Sequence, residues 1–388
     1  MIVLPETRSI TFAVKFSVER FVVILCLLVI SLVLYISLLL LNNNRSQFFK
    51  HAISKNKAIW WSLNKKFIIK FQDFDKEFVQ QQQQSLESAN IVERFLYNNP
   101  PNTKNPICSR TNRAQGINLL MILVLSRALN FDYRMAIRST WGRNIQRNGL
   151  QIQTVFFVGT DDSSQYAIRN EQVMFNDVVE VGIPENYPFV SHKELATLQW
   201  TRLFCPWTEF IFRADDDILL DTFLLTKYIK HHLYNISEEN DGIYGWFRFN
   251  NSVHRMDKWA VTRQEYPSKI YPPYTFGIGY LMTNKTCLEL VNAAKAPHHA
   301  VIRIGDVYIT GILRELANVK YFDFIGLDYS YTFYDVLPCD DLFMDNPKLL
   351  ICMSKLHVGI KGDPDEFFDV WDVILTRQSE RNKITSKH

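Results

Sequence analysis

An α/β domain with a largely parallel central sheet, preceded by one transmembrane helix, is the fold this sequence predicts. Three observations carry that expectation: an uncharged apolar run near the N-terminus, short apolar runs alternating with helical segments after Gly116, and an apolar strand that runs directly into three consecutive aspartates.

The apolar run is Phe21 to Leu41. At ~1.5 Å of rise per residue it reaches about 30 Å, enough to cross a bilayer core. A cleaved signal peptide has a shorter apolar core, about 7–15 residues, and closes on small residues. This run instead ends in Leu38 to Leu41 and is followed by Asn42, Asn43 and Asn44, so an uncleaved signal anchor is expected. Arg8, Lys15 and Arg20 precede it, and Arg45, Lys50, Lys55 and Lys57 follow it, which leaves the positive-inside rule undecided. Asn-x-Ser/Thr acceptors at Asn235, Asn250 and Asn284 all lie after the run and favour a cytoplasmic tail (1–20) with a lumenal body. A further acceptor at Asn44 sits too near the bilayer to count. Of six cysteines, Cys26 lies within the run, leaving Cys108, Cys205, Cys287, Cys339 and Cys352. That odd number permits at most two internal bridges, whose connectivity the sequence does not reveal.

Residues 42–113 are polar and irregular, with a glutamine tract from Gln80 to Gln84 and a Pro/Asn-rich stretch from Asn98 to Pro106. They read as a stem that holds the body away from the membrane. Within it, Ile59, Trp60, Trp61, Leu63, Phe67, Ile68, Phe71, Phe74 and Phe78 could line one broad side of a helix.

The body is expected over 114–377, with a short tail at 378–388. Asn118 to Leu125 reads as a strand, Tyr133 to Trp141 as a helix, and Gln153 to Val158 as a strand. Then come a helix over Ser163 to Phe175, a strand over Asp177 to Val181, a helix over Ser191 to Phe204 and a strand over Glu209 to Arg213. Ligands of such sheets gather beyond the carboxyl ends of the strands. The composition, 47% hydrophobic and 21% charged with a net charge of +3, offers no concentrated basic surface for nucleic acid.

The strongest local signal is Asp215-Asp216-Asp217, set between Phe210-Ile211-Phe212 and Ile218-Leu219-Leu220. Three adjacent carboxylates between two buried segments repel one another unless a cation relieves them. A hard divalent ion sharing carboxylate and diphosphate oxygens would do so. The plainer reading is an acidic turn followed by a helix cap at Asp221. Asp306 opens a helix over Val307 to Leu316, so it is either an N-cap or a general base for an attacking hydroxyl. Arg134 and Arg138, four apart on one helix face, pair with carboxylates by default, though guanidinium forks also suit a uracil or a phosphate. His357 is a competent metal ligand if it converges on Asp217.

Together these segments resemble the β1,3-galactosyltransferase family, which also includes β1,3-N-acetylglucosaminyltransferases and is related to the fringe proteins. Arg134-Met-Ala-Ile-Arg138-Ser-Thr-Trp141 is similar to that family's opening arginine/tryptophan motif, and Phe156-Phe157-Val158-Gly159 to its second strand. Glu171, Lys193, Trp200 and Cys205 follow in the family's order before the aspartates. Tyr266-Pro267, Tyr271-Pro272-Pro273-Tyr274, Gly277-Ile-Gly279-Tyr280 and Asp306-Val307-Tyr308-Ile-Thr-Gly311 complete the likeness, which spans roughly Asn118 to Trp371.

The resemblance implies a GT-A nucleotide-sugar-binding fold and an inverting single displacement, with Mn²⁺ and a UDP-sugar donor as cofactor and substrate. Asp215, with Asp216 beside it, would meet the donor's nucleotide side, and Asp217 would bind the metal with His357 as an additional ligand. Asp306 would be the base, and Arg134 and Arg138 would help seat the nucleotide. The implied partner is a glycan acceptor on a glycoprotein or glycolipid, at the Golgi membrane in type II orientation. A homodimer is compatible with that class, though no residue indicates one. Among donor sugars the likeness favours galactose without excluding N-acetylhexosamines.

Three positions depart from the family pattern. Gly305-Asp306 stands where an acidic pair is usual, Glu185-Asn186-Tyr187 replaces Asp-Ser-Tyr, and Ala214 replaces a threonine or serine. Gly305 is the main support for a competing reading, a degenerate transferase that binds sugar or a partner enzyme. A metal phosphohydrolase is the other, but it would want further histidine and aspartate ligands that His231-His232 and His298-His299 do not supply.

Overall fold

The structure, a computed structural model, describes residues 95–100, 107–108, 118–233, 237–256, 259–296, 301–324, 330–333, 338–354 and 364–385. All of them lie in the unit Ile68–His388. The expected tail, anchor and aromatic stripe, together with His357, fall outside the described residues. Among the described residues, no helix is long and apolar enough to cross a membrane.

The apolar runs become strands. β1 (Tyr97–Asn98) is followed by β2 (Asn118–Leu125), α1 (Phe131–Ser139), β3 (Gln146–Arg147), β4 (Leu150–Thr160), α2 (Gln165–Phe175) and β5 (Val178–Pro184). After α3 (Val190–Phe204) come β6 (Phe210–Asp215), β7 (Ile218–Leu220), α4 (Thr222–Tyr228), β8 (Gly242–Gly245), β9 (Phe247–Arg248), β10 (Tyr274–Thr275) and β11 (Gly279–Thr283). The chain then forms α5 (Asn284–Ala293), α6 (Val307–Leu313 with π geometry, continued by Arg314–Leu316), β12 (Lys320–Asp323) and β13 (Ser330–Phe333). It ends with α7 (Cys339–Asp345), β14 (Leu349–Met353) and α8 (Asp365–Thr385).

The central sheet runs β1-β5-β4-β2-β6-β11-β8-β12, with β3 paired to β4. Its heart, β5-β4-β2-β6, is parallel, as the strand–helix alternation requires. The sheet as a whole is mixed, because β11 runs antiparallel to both β6 and β8. Among the described residues, no helix lies between β8 and β11 to signal that reversal in sequence.

The strand β2 shows why this sheet is buried on both faces. Leu120, Ile122 and Val124 point into one core, and Leu119, Met121 and Leu123 into the other. Such period-two division of an unbroken apolar run is the mark of a strand covered by helices on either side. Ala136 and Ile137 of α1, Leu224 and Leu225 of α4 and Phe367 of α8 cover the first face. Leu195 and Leu198 of α3, Leu290 of α5 and Leu313 of α6 cover the second. Each large aliphatic side chain so buried contributes about 1.5–3 kcal/mol against exposure.

Two boundaries differ from expectation. Tyr97–Asn98 pairs antiparallel with β5, and Cys108 is disulfide-bonded to Cys205, so part of the expected stem is built into the body. At the other end, α8 continues to Thr385, past residue 377. A second bridge joins Cys339 to Cys352, leaving Cys287 as a buried free thiol. Of the acceptor asparagines, Asn250 is exposed. The amide nitrogen of Asn284 donates to the Pro206 carbonyl at 2.7 Å, which leaves it poorly placed for modification.

Candidate active site

The three aspartates sit where the chain leaves one sheet for another. Strand β6 belongs to the central sheet and ends at Asp215, while β7 begins at Ile218 in a small sheet with β14 and β13. The register brings Leu125, the last residue of β2, opposite Asp215. Ile218 pairs with Met353, and Ser354 donates its backbone N–H to the Asp217 carbonyl at 2.9 Å. Strand pairing on both sides therefore holds the acidic turn. The cap expected at Asp221 is present, with its carboxylate accepting from the N–H groups of Phe223 and Leu224, each at 2.9 Å.

Asp216 turns inward. Its carboxylate accepts from the Ser126 hydroxyl at 2.6 Å and from the Asn130 amide at 3.0 Å, which fastens the aspartates to the loop after β2. Burial raises its carboxyl above the usual range, and the neighbouring Asp217 charge adds to the rise. That tether makes it a support for the loop that faces the cavity.

Arg134 holds the same loop from beneath. It has no exposed surface, and each of its five N–H donors is engaged. Two go to Glu171 at 2.8 and 2.7 Å, and three to Ser126 Oγ at 2.9 Å, the Arg127 carbonyl at 2.6 Å and the Ala128 carbonyl at 3.1 Å. Arg138 shares Glu171 at 2.6 Å, adds a two-pronged bond to Asp177 at 2.8 and 2.7 Å, and lies over the rings of Phe156 and Phe175. The carboxylate pairing weighed for these arginines is thus what the fold uses. Any help they give a nucleotide passes through the Ser126–Ala128 loop.

Beyond that loop lies a cavity of about 630 Å³ at the carboxyl ends of β2, β4 and β5, lined by Arg127, Thr160, Asp161, Glu185 and Asn186 among others. Its volume falls within the range of small-ligand sites. One wall is fixed by Lys193, whose ammonium bonds both oxygens of Glu185, at 2.9 and 3.0 Å, and the Ser126 carbonyl at 2.7 Å. Glu185 also accepts the Gly159 N–H at 2.7 Å. A side chain at Gly159 would strike the Ile183 carbonyl oxygen at 2.7 Å, so only glycine lets these strand ends close together.

On the opposite side of β6, Arg213 joins several elements. Its Nη1 pairs with Asp215 at 2.9 Å and donates to the Gly277 carbonyl, and its Nε lies 3.0 Å from Glu194 of α3. Asp215 remains partly exposed. Its carboxyl is pushed up to about 7 by burial foremost, with Asp217, Glu194 and Asp216 adding and Arg213 opposing. Asp306 caps α6 through Val307 N–H at 2.9 Å, and Gly277 packs against it so closely that a Cβ there would lie 3.1 Å from Asp306 Oδ2. Burial, and then the charge of Glu194, push the Asp306 carboxyl up to about 6, against Val307, Arg213 and Gly277.

Among the described residues no group of three or more His, Cys, Asp and Glu side chains converges as a ready-made metal cage. The donors on offer are carboxylate oxygens on a turn where like charges crowd, which suits a hard cation completed by ligand oxygens. Sequence reasoning singled out Asp215, Asp216, Asp217 and Asp306 but passed over Ser126, Glu194 and Arg213. The signal for one of these was present. Lys193-Glu194 is a charged pair directly before the uncharged stretch Leu195–Trp200 of α3, and both are buried with it.

Residues 132–324, from α1 to the end of β12, match the family model described as Galactosyltransferase. The match includes the aspartates and Asp306. The mouse protein UDP-GalNAc:beta-1,3-N-acetylgalactosaminyltransferase 1 is 28% identical over 250 residues, covering 61% of this chain and 73% of that protein. Its human counterpart is 26% identical over 251 residues, covering 61% and 74%. The mouse Beta-1,3-galactosyltransferase 5 is 28% identical over 213 residues, covering 51% and 63%.

Proposed function

We propose that this chain, a member of the β1,3-galactosyltransferase family, moves a hexose or N-acetylhexosamine from a UDP-sugar to a glycan hydroxyl in β1,3 linkage. The observation that carries the reading is the Ser126–Asp216 bond, because it fixes the aspartate turn to the rim of the 630 Å³ cavity at the strand ends. The nucleotide would lie in that cavity, with its diphosphate directed toward Asp215 and Asp217. Mn²⁺ held by Asp217, with His357 as a further ligand, would offset the charge developing on the departing UDP.

Transfer with inversion needs three events at one carbon: the acceptor oxygen bonds to the anomeric carbon, the bond to UDP breaks, and the acceptor proton leaves. Asp306 is the group suited to take that proton. A carboxylate raised to about 6 is a stronger base than an ordinary aspartate yet still ionised at neutral pH. The α6 N-terminus and Gly277 hold its oxygens in place, so little reorganisation accompanies the step. Galactose is the favoured sugar, and N-acetylgalactosamine is the next, by likeness to the mouse and human N-acetylgalactosaminyltransferases. The N-terminal apolar run and the two disulfides support a Golgi-membrane, type II setting.

The test is a donor screen of the full chain in detergent with and without Mn²⁺. UDP-galactose, UDP-N-acetylglucosamine and UDP-N-acetylgalactosamine would be offered with mixed glycan acceptors to the wild type, Asp217→Ala and Asp306→Asn. Metal-dependent transfer from one donor, lost in both variants, is the expected outcome. Folded protein that binds UDP and Mn²⁺ but transfers no sugar would overturn the reading in favour of a non-catalytic sugar- or partner-binding subunit.

A further inference from the structure

Gly305, immediately before Asp306, has no side chain, and the space this leaves is filled from another element. A Cβ built on Gly305 would fall 2.1 Å from Glu194 Oε2 and 3.3 Å from its Cδ. Any side chain at 305 would therefore displace the Glu194 carboxylate, which reaches this point from α3, 111 positions earlier in the chain.

That carboxylate is fully buried and held by two partners. The Tyr280 hydroxyl donates to its Oε1 at 2.7 Å, and Arg213 pairs with it through Nε at 3.0 Å and Nη2 at 3.4 Å. A buried charge persists only with such partners, and the dependence is mutual: Arg213, itself buried, needs the anion to stay where it is. Arg213 in turn reaches Asp215 at 2.9 Å and the Gly277 carbonyl, and Gly277 packs on Asp306. One carboxylate thus steadies both the donor side and the acceptor side of the proposed centre.

We propose that Glu194 is a positioning residue for sugar transfer: from the space left by Gly305, its carboxylate fixes Arg213, which holds Asp215 and the Gly277 backbone beside Asp306. The proposal rests on the transferase reading above and adds to it a residue pair, 194 and 305, that must be read together. It also assigns Gly305 a role, since its missing side chain makes room for the carboxylate that α3 supplies.

The experiment moves the carboxylate from one position to the other. With the donor and acceptor found for the wild type, kcat and KM would be measured for Glu194→Ala, Gly305→Glu, Gly305→Asp and the two combinations of Glu194→Ala with each glycine replacement. Each single variant should lose kcat by about ten- to a hundredfold, the scale of one lost charge-assisted hydrogen bond, with KM for the donor nearly unchanged. At least one double variant should recover severalfold over Glu194→Ala, because a carboxylate delivered from 305 can meet Arg213 again.

If Glu194→Ala does not fold, Glu194→Gln keeps the shape and removes the charge. The acidic limb of its kcat–pH profile should move to lower pH, because one negative neighbour of Asp306 is gone. Full kcat in Glu194→Ala, full kcat in a Gly305→Glu single variant, no recovery in either double variant, or an unmoved limb in Glu194→Gln would each overturn the proposal. A wild type that transfers no sugar would instead overturn the transferase reading on which the proposal stands.

Discussion

The Arg134 guanidinium donates to both carboxylate oxygens of Glu171, at 2.8 and 2.7 Å, from a position with no exposed surface. Its other donors hold Ser126, Arg127 and Ala128, so this ion pair anchors the loop that carries one wall of the cavity and the tether to Asp216.

Breaking that pair leaves an uncompensated buried charge. Glu171→Gln removes the anion and should destabilise the protein by about 3–5 kcal/mol, while Arg134→Lys keeps the charge but loses the five-donor fork and should cost less, about 1.5–3 kcal/mol. Each should also weaken UDP binding through the loosened loop. Denaturant unfolding checks the first effect and UDP titration the second. A loss below about 1 kcal/mol, the value of a surface pair, would show that the network is not anchored as described.

The base role proposed for Asp306 predicts an acidic limb in the rate of transfer. Its carboxyl, raised to about 6, must be ionised to accept a proton, so kcat should rise with pH through about 6 and level off above it. The sign is fixed because burial and the Glu194 charge both favour the protonated form. A kcat that stays flat from pH 5 to 7, measured well below saturation of any later step, would remove Asp306 from the base role.

Metal binding should depend on pH in the same direction. Asp215 is pushed up to about 7 by burial and its carboxylate neighbours, so protons compete with a cation at this turn. The rise in Tm on adding Mn²⁺ with UDP should be larger at pH 8 than at pH 6 and absent in Asp217→Ala. An equal shift at both pH values, or one retained in that variant, would place the cation elsewhere.

The two bridges should differ in their effect on stability. Cys339–Cys352 closes a separation of 13 residues and Cys108–Cys205 one of 97. On loop-entropy grounds they are worth about 3 and 4.7 kcal/mol respectively, so Cys205→Ser should lower the midpoint of unfolding more than Cys352→Ser. The longer bridge also ties the Cys108 segment to the end of α3, so its loss should make residues before Asn118 more sensitive to protease. Equal protease patterns in the two variants would count against that tie.

By itself the sequence determined the elements and the place of the acidic turn between two strands. Its apolar runs, Asn118 to Leu125 and Phe210 to Phe212, are local statements, because a strand buried on both faces must be apolar at successive positions. Asp215-Asp216-Asp217 was legible for the same local reason, as was the Asp221 cap. So was the hairpin turn at Asn148-Gly149, whose two residues sit at φ 50° and 82°, although the reading of the body passed over it. Tertiary structure alone decided that Asp216 would face Ser126, that the arginine pair would be engaged by Glu171 and Asp177, and that Glu194 would fill the space above Gly305. These pairings join residues tens to more than a hundred positions apart. Their distances are set by sheet register and helix packing, which no local pattern of residue types encodes.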